Sequence, residues 1–258
     1  MSIFTVQDVS LRFGGLQAIS NVSFSVEEGE VFAIIGPNGA GKTSMLNVIT
    51  RVFDSSSGRV VFDGQDITTL ARHKVVHCGI ARTFQNIELF EGGSVLDNLL
   101  LGRHRFPHGS FVAQWLWTPG VRAAEACSRA YVEDVIDLLD LTPYRNSPVA
   151  GLPYGVRKVV EIARALATRP RLLLLDEPAS GLNPEESRDL AFWIEDIQKD
   201  LGISVIMVEH DMSLVSQAAD RVLCMNLGRV LAEGTPQQVQ SDPAVIAAYL
   251  GVEGDRAP

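Results

Sequence analysis

Residues 36–43 read GPNGAGKT and fit the spacing G-x-x-x-x-G-K-[ST], with the apolar run EVFAII before them and the helix-like run SMLNVITRVF after them. Gly36, Gly39 and Gly41 let backbone N–H groups turn inward around a phosphate, and a helix starting behind them adds about half a positive charge at its N-terminus. Lys42 then reaches the terminal phosphates. The Thr43 hydroxyl suits Mg²⁺, which takes few protein oxygens and keeps water and phosphate as its other ligands. The chemistry implied is binding of a magnesium nucleoside triphosphate. A second stretch, RLLLLDEP at 171–178, supplies carboxylates. Asp176, at the end of a strand-like run, can hold the metal through water. Glu177 beside it can polarise an attacking water, a general-base role worth roughly 10² to 10⁴ in rate.

These residues need strands and helices to hold them. FTVQDVSLRF, VSFSVEEGE and GRVVFDG alternate in period two and are broken by Gly-Gly, Glu-Gly and Asp-Gly turns, which predicts an antiparallel β layer. EVFAIIG, RLLLLDE and ISVIMVEH are continuous apolar runs associated with helical sequence, as expected of parallel strands buried on both faces. The fold class is therefore α/β. Between about residues 88 and 158 the texture becomes helical, from Val95 to Leu101 and through VRAAEACSRAYVEDVIDLLDL. Its middle, residues 106–119, holds Trp115 and Trp117 and reads as an aromatic cluster packing the insertion.

Together these stretches resemble the ATP-binding cassette ATPases over nearly the whole chain. The resemblance implies a P-loop core of mixed sheet and helices over 1–87 and 159–250, with an antiparallel β subdomain, an inserted helical subdomain over 88–158 and a tail over 251–258. RTFQN would be the Q-loop, with Gln85 reaching metal and water. IMVEHD would be the switch that sets His210 against the terminal phosphate, and SGLNP at 180–184 looks like the D-loop. Phe13 stands where the family keeps an aromatic ring to stack on adenine, an interaction worth roughly 1–3 kcal/mol. ATP would then be held by Phe13 and by Gly36, Pro37, Asn38, Gly39, Ala40, Gly41, Lys42, Thr43 and Ser44, and the metal by Thr43, Gln85 and Asp176.

LPYGVRK occupies the place of the family's signature sequence, whose turn contacts the ATP of the opposing subunit in a dimer. Here Pro153 replaces the usual serine and Tyr154 the first glycine, between Leu152 and Gly155. Proline suits the first position of a helix, where an N–H lacks an intrahelical partner. The N–H groups around Tyr154 and Gly155, with the helix dipole, would serve the opposing γ-phosphate without the serine. A tyrosine-glycine signature, the insertion GRHRFPHGSFVAQWLWTPG, ASGLNP and a tail ending AAYLGVE are together similar to the larger ATPase subunit of branched-chain amino-acid type importers. That likeness implies a peripheral motor on the cytoplasmic face of the cell membrane. Its partners would be permease subunits, a second cassette and, indirectly, an extracytoplasmic solute-binding protein.

Composition bounds the alternatives. The chain has 258 residues, 46% hydrophobic and 21% charged, which suffices for a packed core. Its formal net charge of −9 argues against a basic nucleic-acid binder, and no nucleic-acid partner is expected. Cys78, Cys127 and Cys224 are unclustered and odd in number, as in a reducing compartment. The N-terminus lacks the basic flank and apolar run of a signal peptide, and no run is long enough to span a bilayer. Other cargoes stay open at this point, urea or amides for import and lipopolysaccharide for export. A cassette acting on DNA or ribosomes is disfavoured by the charge and by the lack of a coiled-coil insertion.

Overall fold

The structure, a computed structural model, describes residues 2–83, 87–103, 115 and 118–254, the side chains of 251–254 excepted. In chain order its elements are β1 (Ser2–Phe13), β2 (Leu16–Glu27), β3 (Val31–Ile35), α1 (Lys42–Ile49), β4 (Ser57–Phe62), β5 (Gln65–Asp66), α2 (Arg72–Cys78) and β6 (Ile80–Arg82). There follow α3 (Val95–Gly102), α4 (Pro119–Leu138), α5 (Tyr154–Leu166), β7 (Leu172–Asp176), α6 (Pro184–Leu201), β8 (Ser204–Val208), α7 (Met212–Ala218), β9 (Arg221–Asn226), β10 (Arg229–Gly234), α8 (Pro236–Ser241) and α9 (Pro243–Gly254).

The contacts divide the chain into two units. The first comprises Met1–Gln85, Arg171–Ser180 and Ser187–Pro258 and carries both sheets. One is the expected antiparallel layer, in the order β2-β1-β4-β5. The other runs β10-β9-β3-β8-β7-β6, parallel from β9 to β6, with β10 antiparallel at its edge. Every residue of β3, β7 and β8 is buried, which is why VFAII, LLLLD and SVIMV read as continuous apolar runs. One core joins the two sheets: Phe24 of β2 stacks on Phe32 of β3 with ring centroids 5.3 Å apart, among Phe4, Phe62, Met45 and Ile49. Each such side chain contributes roughly 1.5–3 kcal/mol on burial. Cys224 of β9 lies wholly inside, whereas Cys78 is half-buried.

The second unit, Asn86–Pro170 with Gly181–Glu186, is helical among its described residues. It extends past the expected boundary at 158, because α5 runs on to Leu166 and packs against α3. Ser94 and Asp97 form a capping box at the start of α3. At the other end the Arg103 guanidinium donates to the Ala167 carbonyl at 3.0 Å, and the Tyr131 hydroxyl donates to that of Leu166 at 3.2 Å. Cys127 is exposed on α4. Of the expected aromatic cluster only Trp115 is described, 78% exposed, and Trp117 lies outside the described residues. The predicted tail beginning at 251 is in part helix, since α9 continues through Gly254.

Candidate functional site

The phosphate loop leaves the C-terminal end of β3, in the middle of the parallel sheet, where open α/β sheets place their ligands. Gly36 has φ +146°, and a Cβ there would overlap the Met225 carbonyl oxygen, so only glycine fits. The β9–β10 turn braces the loop from the other side: the Gly228 N–H donates to the Ala40 carbonyl at 3.0 Å. Gly41 is the N-cap of α1, and Lys42 is its first residue. Lys42 is buried, and its Nζ donates to the carbonyls of Gly36 at 2.6 Å and Pro37 at 3.2 Å. Burial lowers the lysine pKa against the opposing pull of Glu177, Cys224, Asp176 and Glu209.

In front of the loop is a cleft of about 440 Å³, lined by Phe13, Leu16, Gln17, Ala18, Asn38, Gly39, Ala40, Gly41, Lys42, Thr43, Ser44, Glu177, Leu227 and Gly228. Gly36 and Pro37 lie behind it as acceptors for Lys42. Phe13, the last residue of β1, is 45% exposed and meets Phe53 edge-on at 5.0 Å. It is therefore not a core residue of the β layer. Leu16 and Leu227 stand exposed beside it, Leu227 with a left-handed backbone of φ +47°.

Asp176 and Glu177 arrive on β7. Asp176 is buried, and its Oδ2 accepts from Arg82 at 2.7 Å, while its buried Oδ1 has no hydrogen-bond partner among the described residues. Arg82 in turn donates to Asn47 Oδ1 at 2.8 Å and Thr50 Oγ1 at 3.0 Å, tying the aspartate to α1 and the turn that ends it. Glu177 takes a left-handed conformation, φ +48°, with its N–H donating to the Val208 carbonyl at 2.9 Å. Strain of that kind costs on the order of 1 kcal/mol and concentrates at functional positions. His210 follows β8, and Asp211 starts α7 by accepting from the N–H groups of Ser213 and Leu214. His210 Nδ1 lies 3.9 Å from Glu177 Oε2 and 3.8 Å from Glu209 Oε2.

Asp176, Glu177, His210 and the phosphate loop thus come together in the first unit. Gln85 lies outside the described residues. The signature turn belongs to the helical unit. There Pro153 is the N-cap of α5, with φ −53° and ψ 152°, and Tyr154 is the first helical residue. The expectation of proline at the first helical position is thereby corrected by one residue: the extended ψ cannot continue a helix. Gly155 is buried, a Cβ there would collide with the Glu186 carboxylate, and the Tyr154 ring lies against Gly181.

Sequence reasoning passed over Leu16, Leu227, Arg82 and Glu209. Leu227 carried one signal, the Asn-Leu-Gly turn between two strand-like runs. Glu209 sat unremarked beside His210.

Residues 19–180 match the ABC transporter family, and residues 229–255 match the branched-chain amino acid ATP-binding cassette transporter family. The chain is 41% identical over 249 residues to the high-affinity branched-chain amino acid transport ATP-binding protein BraF of Pseudomonas aeruginosa, covering 96% of this chain and 98% of that protein. It is 35% identical to LivG of Escherichia coli, a protein of the same description, with the same coverage. Among solved structures it resembles the ADP conformation of an ATP-binding cassette of an ABC transporter, with TM-score 0.84 and 32% identity, covering 97% of this chain and 99% of that one. A nucleotide-free cassette gives TM-score 0.83 at 32% identity, covering 96% and 99%. Loop, strand order and likeness agree: the chain belongs to the ABC transporter family and carries that family's ATP-hydrolysing cassette.

Proposed function

We propose that the protein is the motor subunit of a membrane importer for branched-chain amino acids. The observation that carries the reading is the convergence of Asp176, Glu177 and His210 on the strand ends beside a braced phosphate loop. The cargo is inferred from the high-affinity branched-chain relatives and from the family match of the C-terminal segment. Gly36 to Ser44 cradle the phosphates, Lys42 turns from its carbonyl partners to the terminal phosphates, and Phe13 stacks on adenine, with Leu16 and Leu227 at the rim.

The donor set fits Mg²⁺. Asp176 Oδ1, buried and without a partner among the described residues, is a hard oxygen held in place by the Arg82 contact to its neighbour, and Thr43 lines the cleft. Bound there with Gln85 as a further ligand, the ion would neutralise charge on the β- and γ-phosphates. Glu177 accepts the proton of the attacking water, and His210 stands beside it facing the terminal phosphate. The turn Leu152–Gly155 serves the ATP of a second cassette, so that two nucleotides close a dimer. Closure is a population shift, because only the closed state gives each ATP its second set of donors. The protein works peripherally, on permease subunits at the cytoplasmic face of the membrane; among the described residues no helix is long and apolar enough to cross one.

Glu177→Gln separates binding from chemistry. It should bind ATP as tightly as the parent while kcat falls by about 10² to 10⁴. Unchanged turnover removes Glu177 as the base. Isolation of the tagged protein from detergent-solubilised membranes should recover two permease subunits and a second cassette. The associated binding protein should take up leucine, isoleucine or valine; a different solute overturns the cargo.

A further inference from the structure

Glu209 is wholly buried and is absent from the cleft wall, with its Oε2 3.8 Å from His210 Nδ1. Its carboxylate is nevertheless fully used. Oε1 accepts from the Ala179 N–H at 2.8 Å, and Oε2 accepts from the N–H groups of His210 at 2.9 Å and Asp211 at 3.2 Å. These donors belong to two different loops. Ala179 follows Glu177 on the way out of β7, and His210 and Asp211 are the turn out of β8. The strands themselves end in register, Asp176 beside Val208. Beyond that point the Glu177 N–H donates to the Val208 carbonyl, and the Glu209 carboxylate ties the Ala179 loop to the turn of His210 and Asp211.

All three partners are donors, which selects an acceptor-only group with two oxygens. Burying such a charge is costly, and three N–H bonds to an ionised acceptor offset that cost. A hydroxyl or an aliphatic side chain leaves buried N–H groups unpaired. We infer that Glu209 is a positioning residue for hydrolysis, a strut that holds the loop of Glu177 and the turn of His210 in one frame. The inference rests on the reading of Glu177 and His210 given above.

Two substitutions divide the strut. In Glu209→Gln the amide oxygen can still accept from His210 and Asp211, but its NH₂ faces the Ala179 N–H, donor against donor. Glu209→Leu accepts from neither side. Each variant is compared with the parent for ATP affinity, kcat and amide hydrogen exchange, with Glu177→Gln run in parallel. Glu209→Gln should lower kcat by about 10- to 100-fold, the scale of a displacement near 1 Å. ATP affinity should stay within about twofold, since uniform binding is not what the strut supplies. Exchange should quicken over 178–180 alone in Glu209→Gln, and over both 178–180 and 210–211 in Glu209→Leu. Unchanged kcat in both variants, or exchange that quickens uniformly across the protein, overturns the strut. In the parent itself the amides of Ala179, His210 and Asp211 should exchange as slowly as those of β8, and fast exchange there overturns it without any variant. Full turnover in Glu177→Gln would instead fault the assignment of the base and is read separately.

Discussion

At the scale of single residues, the proposed function gives Phe13 and Lys42 two ways of meeting a nucleotide. Phe13 offers a half-exposed ring anchored edge-on by Phe53, so it is preset for stacking and loses little freedom on binding. Phe13→Ala should weaken ATP binding by about 5- to 150-fold, the equivalent of 1–3 kcal/mol of stacking, with kcat at saturation nearly unchanged. A titration with a fluorescent nucleotide measures it. The residues proposed to meet phosphate and metal were legible because their chemistry is local: GPNGAGKT brings its own backbone geometry, and LLLLDEP puts its carboxylates at a strand end. Leu227 and Glu209 were not legible. Both matter through residues far away in the chain, Leu227 by lining a cleft with Phe13 and the phosphate loop and Glu209 by accepting from Ala179, and no spacing rule encodes such a meeting.

At the scale of elements, β7 and β8 end together and their exits are locked by one buried carboxyl. Burial pushes the Glu209 carboxyl above its ordinary value of 4.5, against the pull of the Ala179, Asp211 and His210 N–H groups and of the nearby His210 ring. The folded state therefore binds this proton more readily than the unfolded chain does, and the contribution is largest below 4.5 and is lost as pH rises through the folded value. Urea midpoints of the parent, relative to Glu209→Gln, should fall as pH is raised from below 4.5 to neutrality. A parallel pair of curves contradicts this. The elements themselves were written in the sequence, since the period-two strands and the continuous apolar runs became the two sheets as expected. The start of α5 was misjudged by one residue, because proline is compatible with both the N-cap and the position after it. Pro153→Ser should accordingly leave ATPase activity much as it is, since the N–H groups of the following turn persist. A large gain would mean that the proline is a defect.

For the molecule as a whole, the proposed function pairs the cassette with a second copy or a relative, whose ATP would meet the turn at Leu152–Gly155. With turnover blocked by Glu177→Gln, ATP and Mg²⁺ should raise the mass measured by light scattering to that of a pair of cassettes, and ADP should not. A single-cassette mass under both nucleotides would direct attention to a hetero-partner. The segment over 106–119 was read as an aromatic cluster packing the insertion; of its aromatic residues only Trp115 is described, and it is exposed.

The three thiols are unequal in a way that makes a reporter of the protein. Cys224 is sealed beneath the phosphate loop, and burial holds its thiol up at about 11, so it offers almost no thiolate at neutral pH. Cys78, the last residue of α2, is half-buried, its thiol directed at the Lys74 carbonyl at 3.5 Å. Cys127 is exposed on α4, within the helical unit. A maleimide dye at neutral pH should therefore label Cys127 first and spare the nucleotide cleft. The native chain thus comes with a spectroscopic handle on the helical unit, through which its response to ATP can be followed without engineering a single cysteine.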